Sequence, residues 1–233
     1  MRFYKFFISI FLIFTMCFYI TTPVFSEETT YVWSPNNNSL NDSTNDNSSQ
    51  VKETNSEVDE SNSLSLESGS AILIEQTTGQ VLYSHNAHEQ LRPASVTKVM
   101  SILLIMEALD SNKISLTDSV PCSENAASMG GSQIWLDPRE TLTVDEMLKA
   151  ICVNSANDCV VAMSEFIAGS EEAFVQLMND KAKELGMNDT CFKNCHGLDE
   201  DGHVTSAYDI SLMSRELLVN HPTITNYTTI WTD

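Results

Sequence analysis

The stretch Val96–Leu109, "VTKVMSILLIMEAL", constrains this chain more than any other. Val96, Val99, Met100, Ile102, Leu103, Leu104, Ile105 and Met106 fall on nearly every face of a 3.6-residue turn. A helix that is apolar all round has no solvent side, so it must be the buried central helix of a domain. Lys98 sits in its first turn. A buried ammonium without a partner is costly, so that turn must open onto a cleft. Ser95 lies three residues earlier, and at i, i+3 two side chains share a helix face with Cβ atoms about 5–6 Å apart. The lysine amine can therefore reach the serine hydroxyl.

That pairing has chemical content only if the lysine is neutral. A serine needs a base to attack a carbonyl. At the reference pKa of about 10.4, roughly one lysine in a few thousand is neutral at pH 7. Burial lowers a lysine pKa by up to about 3–5 units. Reaching about 7 corresponds to roughly 4–5 kcal/mol of differential interaction, and the apolar helix behind Lys98 is an environment of that kind. A helix N-terminus also favours negative charge developing near Ser95. The alternative is a Ser N-cap followed by a surface lysine, and the four residues alone do not separate the two. The same pattern recurs at Ser49–Lys52, in a segment with no helix or pocket to bring the pair together.

The surrounding chain divides into three. Residues 1–26 read as an export signal. Arg2 and Lys5 precede the apolar run Phe6–Ile20, and small residues around Val24–Ser26 offer a cut before Glu27. The run is short of the roughly 20 residues of a membrane span, so an uncleaved signal is the weaker of the two outcomes. Residues 27–69 carry nine acidic side chains and one lysine among Asn, Ser and Thr. Such a composition cannot offset its ordering entropy and predicts a disordered linker. Residues 70–233 are long enough for one domain with a real core. The net charge of −20 argues against nucleic-acid partners and against a basic surface for anionic lipids.

Within the domain, Ala71–Glu75 and Gln80–Tyr83 predict a β-hairpin turning at Thr77-Thr78-Gly79. Residues 123–143 are rich in turn formers. Thr143 to Glu146 is a capping box for a helix through Ile151, which "NSANDC" interrupts before helical spacing resumes from Asp158 to Ala168. Ser170 caps a helix over Glu171–Leu185, and Ser206–Asn220 is a final amphipathic helix ending before Pro222. Trp135 and the helical methionines are expected in the core. His196 and His203 are expected to order a loop through hydrogen bonds, and Asp199 and Asp201 read as loop and turn residues. Cys122, Cys152, Cys159, Cys191 and Cys195 are an odd set with no tidy disulfide framework. Cys152 and Cys159 would lie about 10 Å apart along one helix. Cys191, Cys195 and His196 lack a second ligand pair at zinc spacing, so no metal is expected.

The polar break holds the second chemical group. Ser155 and Asn157 are two apart where the backbone leaves the helix, so both can face a cleft. Ser155 could relay a proton to a leaving amine, while Asn157 holds a substrate amide and the lysine. Ser34–Asn36, Ser43–Asn45 and Ser123–Asn125 match the same tripeptide pattern. The first two lie in the linker, and the third is a rival inside the domain.

Taken in order, "RPASVTKVM", "ENAASMGGSQIWL", "TVDEMLKAICVNSANDCVVAM" and "NCHGLDEDGHVTSAYDIS" resemble the serine-type D-alanyl-D-alanine carboxypeptidases, the low-molecular-mass penicillin-binding proteins. The resemblance runs from about Ser70 to Asn220. It implies an α/β (α+β) fold of the β-lactamase/transpeptidase-like type, with an N-terminal hairpin and a helical subdomain. It puts the family's Ser-x-x-Lys at Ser95 and Lys98 and its Ser-x-Asn at Ser155 and Asn157, and leaves the Ser123 tripeptide outside the catalytic motifs. It implies an acyl-enzyme at Ser95, formed on the D-Ala-D-Ala end of a peptidoglycan stem peptide and also by β-lactams, with no cofactor. Its setting is the extracytoplasmic face of a bacterial membrane or the cell wall, reached by export, with an uncleaved signal or a C-terminal anchor as routes to membrane association.

The family's third motif, Lys-Thr-Gly on a cleft-lining strand, does not occur in these residues, which end "NYTTIWTD". In the family its lysine helps bind the substrate carboxylate, and a backbone N–H of that strand completes the oxyanion hole. Losing one oxyanion donor costs about 10²–10³ in rate. The expectation is a partial catalytic domain with its C-terminal strands missing, inactive and poorly stable alone. Two other readings stand beside it. A class A β-lactamase shares Ser-x-x-Lys, but Ser-Ala-Asn replaces Ser-Asp-Asn, and "HGLDEDGH" replaces the glutamate-bearing deacylation loop. A non-catalytic exported wall-binding module would keep the fold without needing Ser95, Lys98, Ser155 and Asn157 intact.

Overall fold

The computed structural model describes residues 66–231, so the expected signal and nearly all of the expected linker lie outside the described residues. The chain opens with an antiparallel hairpin of β1 (Ala71–Ile74) and β2 (Val81–His85), in which Ile72 faces Ser84 and the register slips between Leu73 and Ile74. Glu75 accepts hydrogen bonds from the backbone N–H groups of Thr77 and Thr78, and Gly79 turns the chain at φ +76°.

A 3-10 turn, Ala94–Thr97, leads into α1 (Lys98–Asp110). This is the all-apolar helix, and it packs on α4 (Asn157–Ala168), α5 (Glu171–Glu184) and α6 (Ala207–Asn220). Burial of Met100, Leu103 and Ile105 on different faces of α1 follows from that enclosure. The remaining helical methionines Met106, Met147, Met163, Met178 and Met213 are also buried. Helix α6 in turn lies against β1, and Arg215 on it donates to the carbonyls of Gln76 and Thr77.

The segment read as turns contains more order than its composition suggests. It holds the short α2 (Glu124–Ala127) and β4 (Thr141–Thr143), and β4 pairs antiparallel with β3 (Ser119–Pro121), which lies just before the segment. Ser123 is the N-cap of α2, accepting from Ala126 N, and Asn125 donates to Glu165. Both polar groups of that rival tripeptide are thus occupied structurally. The capping box at Thr143 and Glu146 starts α3 (Val144–Asn154), which runs one turn beyond Ile151. Past Pro222 the chain continues through a 3-10 turn and α7 (Thr225–Thr228), where Tyr227 donates to Asp145 at 2.7 Å and anchors it to α3. Among the described residues no helix is long and apolar enough to cross a membrane. The five cysteines among the described residues are free thiols.

Candidate active site

Ser95 lies in the 3-10 turn and Lys98 is the first residue of α1. A 3-10 turn has three residues per turn, so side chains at i and i+3 eclipse. Lys98 Nζ lies 3.3 Å from Ser95 Oγ and donates to the His196 carbonyl at 2.7 Å. Lys98 is 3 % exposed, so it is not a surface lysine, and Ser95 makes no N-cap bond to the helix. Burial pulls the Lys98 pKa down to about 8, and a Cys195 thiolate is the opposing influence. Cys195 is itself buried, which raises its pKa well above the usual thiol value, so at neutral pH no thiolate offsets the desolvation. About one Lys98 in ten is then neutral at pH 7, some 300-fold more than at the ordinary value.

The turn is held by the loop Cys191–Thr205. Cys195 O accepts from Ser101 of α1 at 2.6 Å, and His196 O takes the Lys98 ammonium. Gly197 has φ +95°, and a Cβ there would collide with the carbonyl oxygen of Ala94, so only glycine lets the loop lie this close to the turn. Ala94 itself has φ +47°, a left-handed conformation that L residues seldom adopt, directly before Ser95. His196 accepts from Leu198 N, and its Nε2 is 3.4 Å from Glu171; burial lowers its pKa, with Glu171 opposing. Arg92 reaches Asp199 at 3.0 Å and Asp201 at 3.9 Å on the exposed rim. His196, Asp199 and His203, whose ring nitrogens contact Thr97 Oγ1 and Lys193 N, thus help to order this segment, while Asp201 stays exposed at the rim. Cys195 donates its thiol to Glu171, and Cys191 pairs its backbone with Val204.

The second wall comes from the break between α3 and α4. Ser155 takes φ +55° and ends α3; Ala156 is extended, and Asn157 begins α4. Asn157 and Ser95 line one cavity of about 300 Å³, with Gly131, Ser132, His196 and Gly197 among its other walls. Asn157 Nδ2 donates to Gly130 O at 2.7 Å, which fixes the amide orientation because a carbonyl can only accept. Its Oδ1 is then buried without a hydrogen-bond partner among the described residues. Such an atom calls for an explanation, and an acceptor on a wall shared with Ser95 is available to a bound N–H. Ser155 does not line this cavity, and its hydroxyl has no hydrogen bond among the described residues. The structure therefore pairs Ser95 with Lys98 and puts Asn157 on a wall shared with Ser95, with Ser155 two residues before Asn157 in the left-handed turn that ends α3.

The loop facing them, residues 130–136, is cinched by Asp158. Its wholly buried carboxylate accepts from Ile134 N and Leu136 N, each at 3.1 Å, and from Cys159 N at 2.9 Å. This corrects the expectation for Trp135. Capturing the N–H groups on either side turns Leu136 inward and Trp135 outward, where it is 79 % exposed at φ +65°. Neither Asp158 nor the cavity-lining Gly131 and Ser132 stands out in the sequence. The adjoining Asp158 within "NSANDC" is the only signal, and it reads as a helix residue until the loop is seen on it.

Against known proteins, the chain is 58 % identical over 170 residues to the D-alanyl-D-alanine carboxypeptidase DacF of Bacillus subtilis, covering 73 % of this chain and 43 % of that protein. It is 37 % identical over 164 residues to DacC of Escherichia coli, covering 68 % and 41 % respectively. The chain thus spans about two fifths of the length of these relatives. Among solved structures it resembles the carboxypeptidase DacD of Francisella tularensis, with a TM-score of 0.69 and 32 % identity over 71 % of this chain and 40 % of that one. It also resembles penicillin-binding protein D2 of Listeria monocytogenes in its ampicillin-bound form, with a TM-score of 0.64 and 28 % identity over 72 % and 68 %. The family model for D-alanyl-D-alanine carboxypeptidases, peptidase S11, matches residues 53–232, and with a serine and a buried lysine paired at the head of its central helix, the chain belongs to that family.

Proposed function

We propose that Ser95 is the acylated nucleophile of a serine-type carboxypeptidase acting on the D-Ala-D-Ala end of peptidoglycan stem peptides, and that β-lactams acylate the same hydroxyl. The observation that carries this is the contact of Lys98 Nζ with Ser95 Oγ on a lysine whose pKa burial draws to about 8. Neutral Lys98 accepts the Ser95 proton as Oγ bonds to the carbonyl carbon of the penultimate D-Ala. The tetrahedral oxyanion collapses, the C–N bond breaks, and the departing D-Ala amine takes up a proton, with Ser155 as relay. Water then hydrolyses the ester and frees Ser95. Asn157 Oδ1, lacking a protein partner, receives a substrate amide N–H. The name of the ampicillin-bound Listeria relative supports the β-lactam arm.

The 233 residues contain no Lys-Thr-Gly, and by themselves they are expected to turn over poorly. The apolar run Phe6–Ile20 behind Arg2 and Lys5 supports action outside the cytoplasm, at the membrane face or wall. The test is release of D-Ala from a peptide ending D-Ala-D-Ala by the full-length gene product, alongside nitrocefin. Release of D-Ala that is lost in Ser95→Ala is the expected outcome. Rapid nitrocefin turnover without D-Ala release would assign a β-lactamase, and neither reaction would favour a non-catalytic wall-binding module.

A further inference from the structure

We infer that His203 is a positioning residue for the nucleophile, locking the Ser95–Lys98 turn through Thr97 only while its imidazole is neutral. This rests on Ser95 being the acylated residue. Thr97 lies between Ser95 and Lys98 in the sequence and is wholly buried, as is His203 at 2 % exposure. His203 Nε2 is 2.7 Å from Thr97 Oγ1, a contact spanning 106 residues of chain. Its other nitrogen, Nδ1, lies 2.9 Å from Lys193 N. A backbone N–H can only donate, so Nδ1 must be the acceptor. The neutral ring then carries its proton on Nε2 and donates it to Thr97.

The lock matters because the turn is strained. Ala94 adopts φ +47° immediately before Ser95. A Cβ disfavours that conformation, and it persists where the surroundings over-determine it. Gly197 packs on the Ala94 carbonyl from outside, and His203 holds Thr97 from inside, so the loop grips the turn on both sides of the nucleophile.

Protonating His203 places a hydrogen on Nδ1 against the Lys193 N–H, two donors facing each other in a buried site. The charged groups around the ring pull both ways: Glu200 and Asp199 favour its protonation, His196 and Lys193 oppose it, and burial, the largest influence, holds its pKa below the usual histidine value. Because the folded pKa is depressed, the lock is intact above the ordinary histidine range and is lost as pH falls through the folded value. Acylation should therefore lose activity on the acid side faster than loss of the Lys98 free base alone explains.

The test is the second-order acylation rate of the full-length protein by fluorescent penicillin, followed from about pH 4.5 to 7.5, in wild type, His203→Gln, His203→Ala and Thr97→Val. Glutamine can donate to Thr97 and accept from Lys193 N–H, but it does not titrate. H203Q is expected to acylate within about three-fold of wild type at pH 7.5, and its log rate should fall less steeply than that of wild type toward the acid end. H203A and T97V should acylate at least about ten-fold more slowly at pH 7.5, with penicillin affinity before acylation within about three-fold. An H203Q profile parallel to wild type overturns the inference, even if H203A fails to fold. Folded H203A acylating at the wild-type rate overturns it as well. Wild type that never labels would instead sink the assignment of Ser95.

Discussion

If Lys98 is the base that activates Ser95, the rate of acylation must follow its free-base fraction. The lysine sits behind an apolar helix with 3 % of its surface exposed, its ammonium satisfied by one carbonyl at 2.7 Å and the serine hydroxyl at 3.3 Å. Desolvation draws its pKa to about 8. At that value the neutral fraction is about 3 % at pH 6.5, half at pH 8 and about 97 % at pH 9.5, a rise of roughly 30-fold. A lysine at its ordinary pKa would instead rise roughly 900-fold over the same interval and still be climbing at its end. Second-order rate constants for fluorescent penicillin on the full-length protein, taken from short labelling times, distinguish these curves. The free-enzyme pKa appears directly in such a rate constant. Half-maximal acylation near pH 8 with a plateau by pH 9.5 is the expected result. A profile flat from pH 6.5 to 9.5, or one with no plateau, would refute Lys98 as a base tuned by burial.

Three further perturbations follow from the same geometry. Lys98→Met should abolish acylation yet stabilise the fold by about 1–3 kcal/mol, because a depressed lysine pKa is a penalty present below about pH 8 and relieved as pH rises through about 10.5; urea melts of both proteins at pH 7 and 10.5 should show the gap narrowing. Asp158→Ala leaves the N–H groups of Ile134 and Leu136 buried without their carboxylate, so it should cost roughly 3–5 kcal/mol in a denaturant melt, and amide exchange across residues 130–136 should quicken. Trp135→Gly removes an exposed ring and relieves a left-handed residue, so a thermal melt should find it neutral to about 1 kcal/mol more stable, where a core tryptophan would lose 3–5.

What the sequence made legible was whatever rested on local pattern. The all-apolar run determined a central helix, Thr143 and Glu146 marked a helix start, and Gly79 marked a hairpin turn. Ser95 and Lys98 are close in sequence, so their contact follows from any helical turn. What stayed hidden was assembled across the chain. The Lys98 ammonium finds His196 O, 98 residues away, and Thr97 finds His203, 106 residues away. No local signal in "NCHGLDEDGH" says which backbone carbonyl will face the lysine. Trp135 shows how a single buried group overrides composition. Hydrophobicity assigns an indole to the core, but the carboxylate of Asp158 claims both flanking amides and leaves the ring outside. The left-handed turn at Ser155 that ends one helix before Asn157 begins the next was likewise not legible beyond a polar break in the helical pattern.

The decisive measurement is peptide mapping by mass spectrometry of the full-length protein after brief exposure to benzylpenicillin. The expected result is one covalent penicilloyl adduct, on the peptide that carries Ser95, absent from both Ser95→Ala and Lys98→Met. An adduct on Ser132 or Ser155, or labelling that persists in Ser95→Ala, would contradict the assignment of Ser95 as the nucleophile.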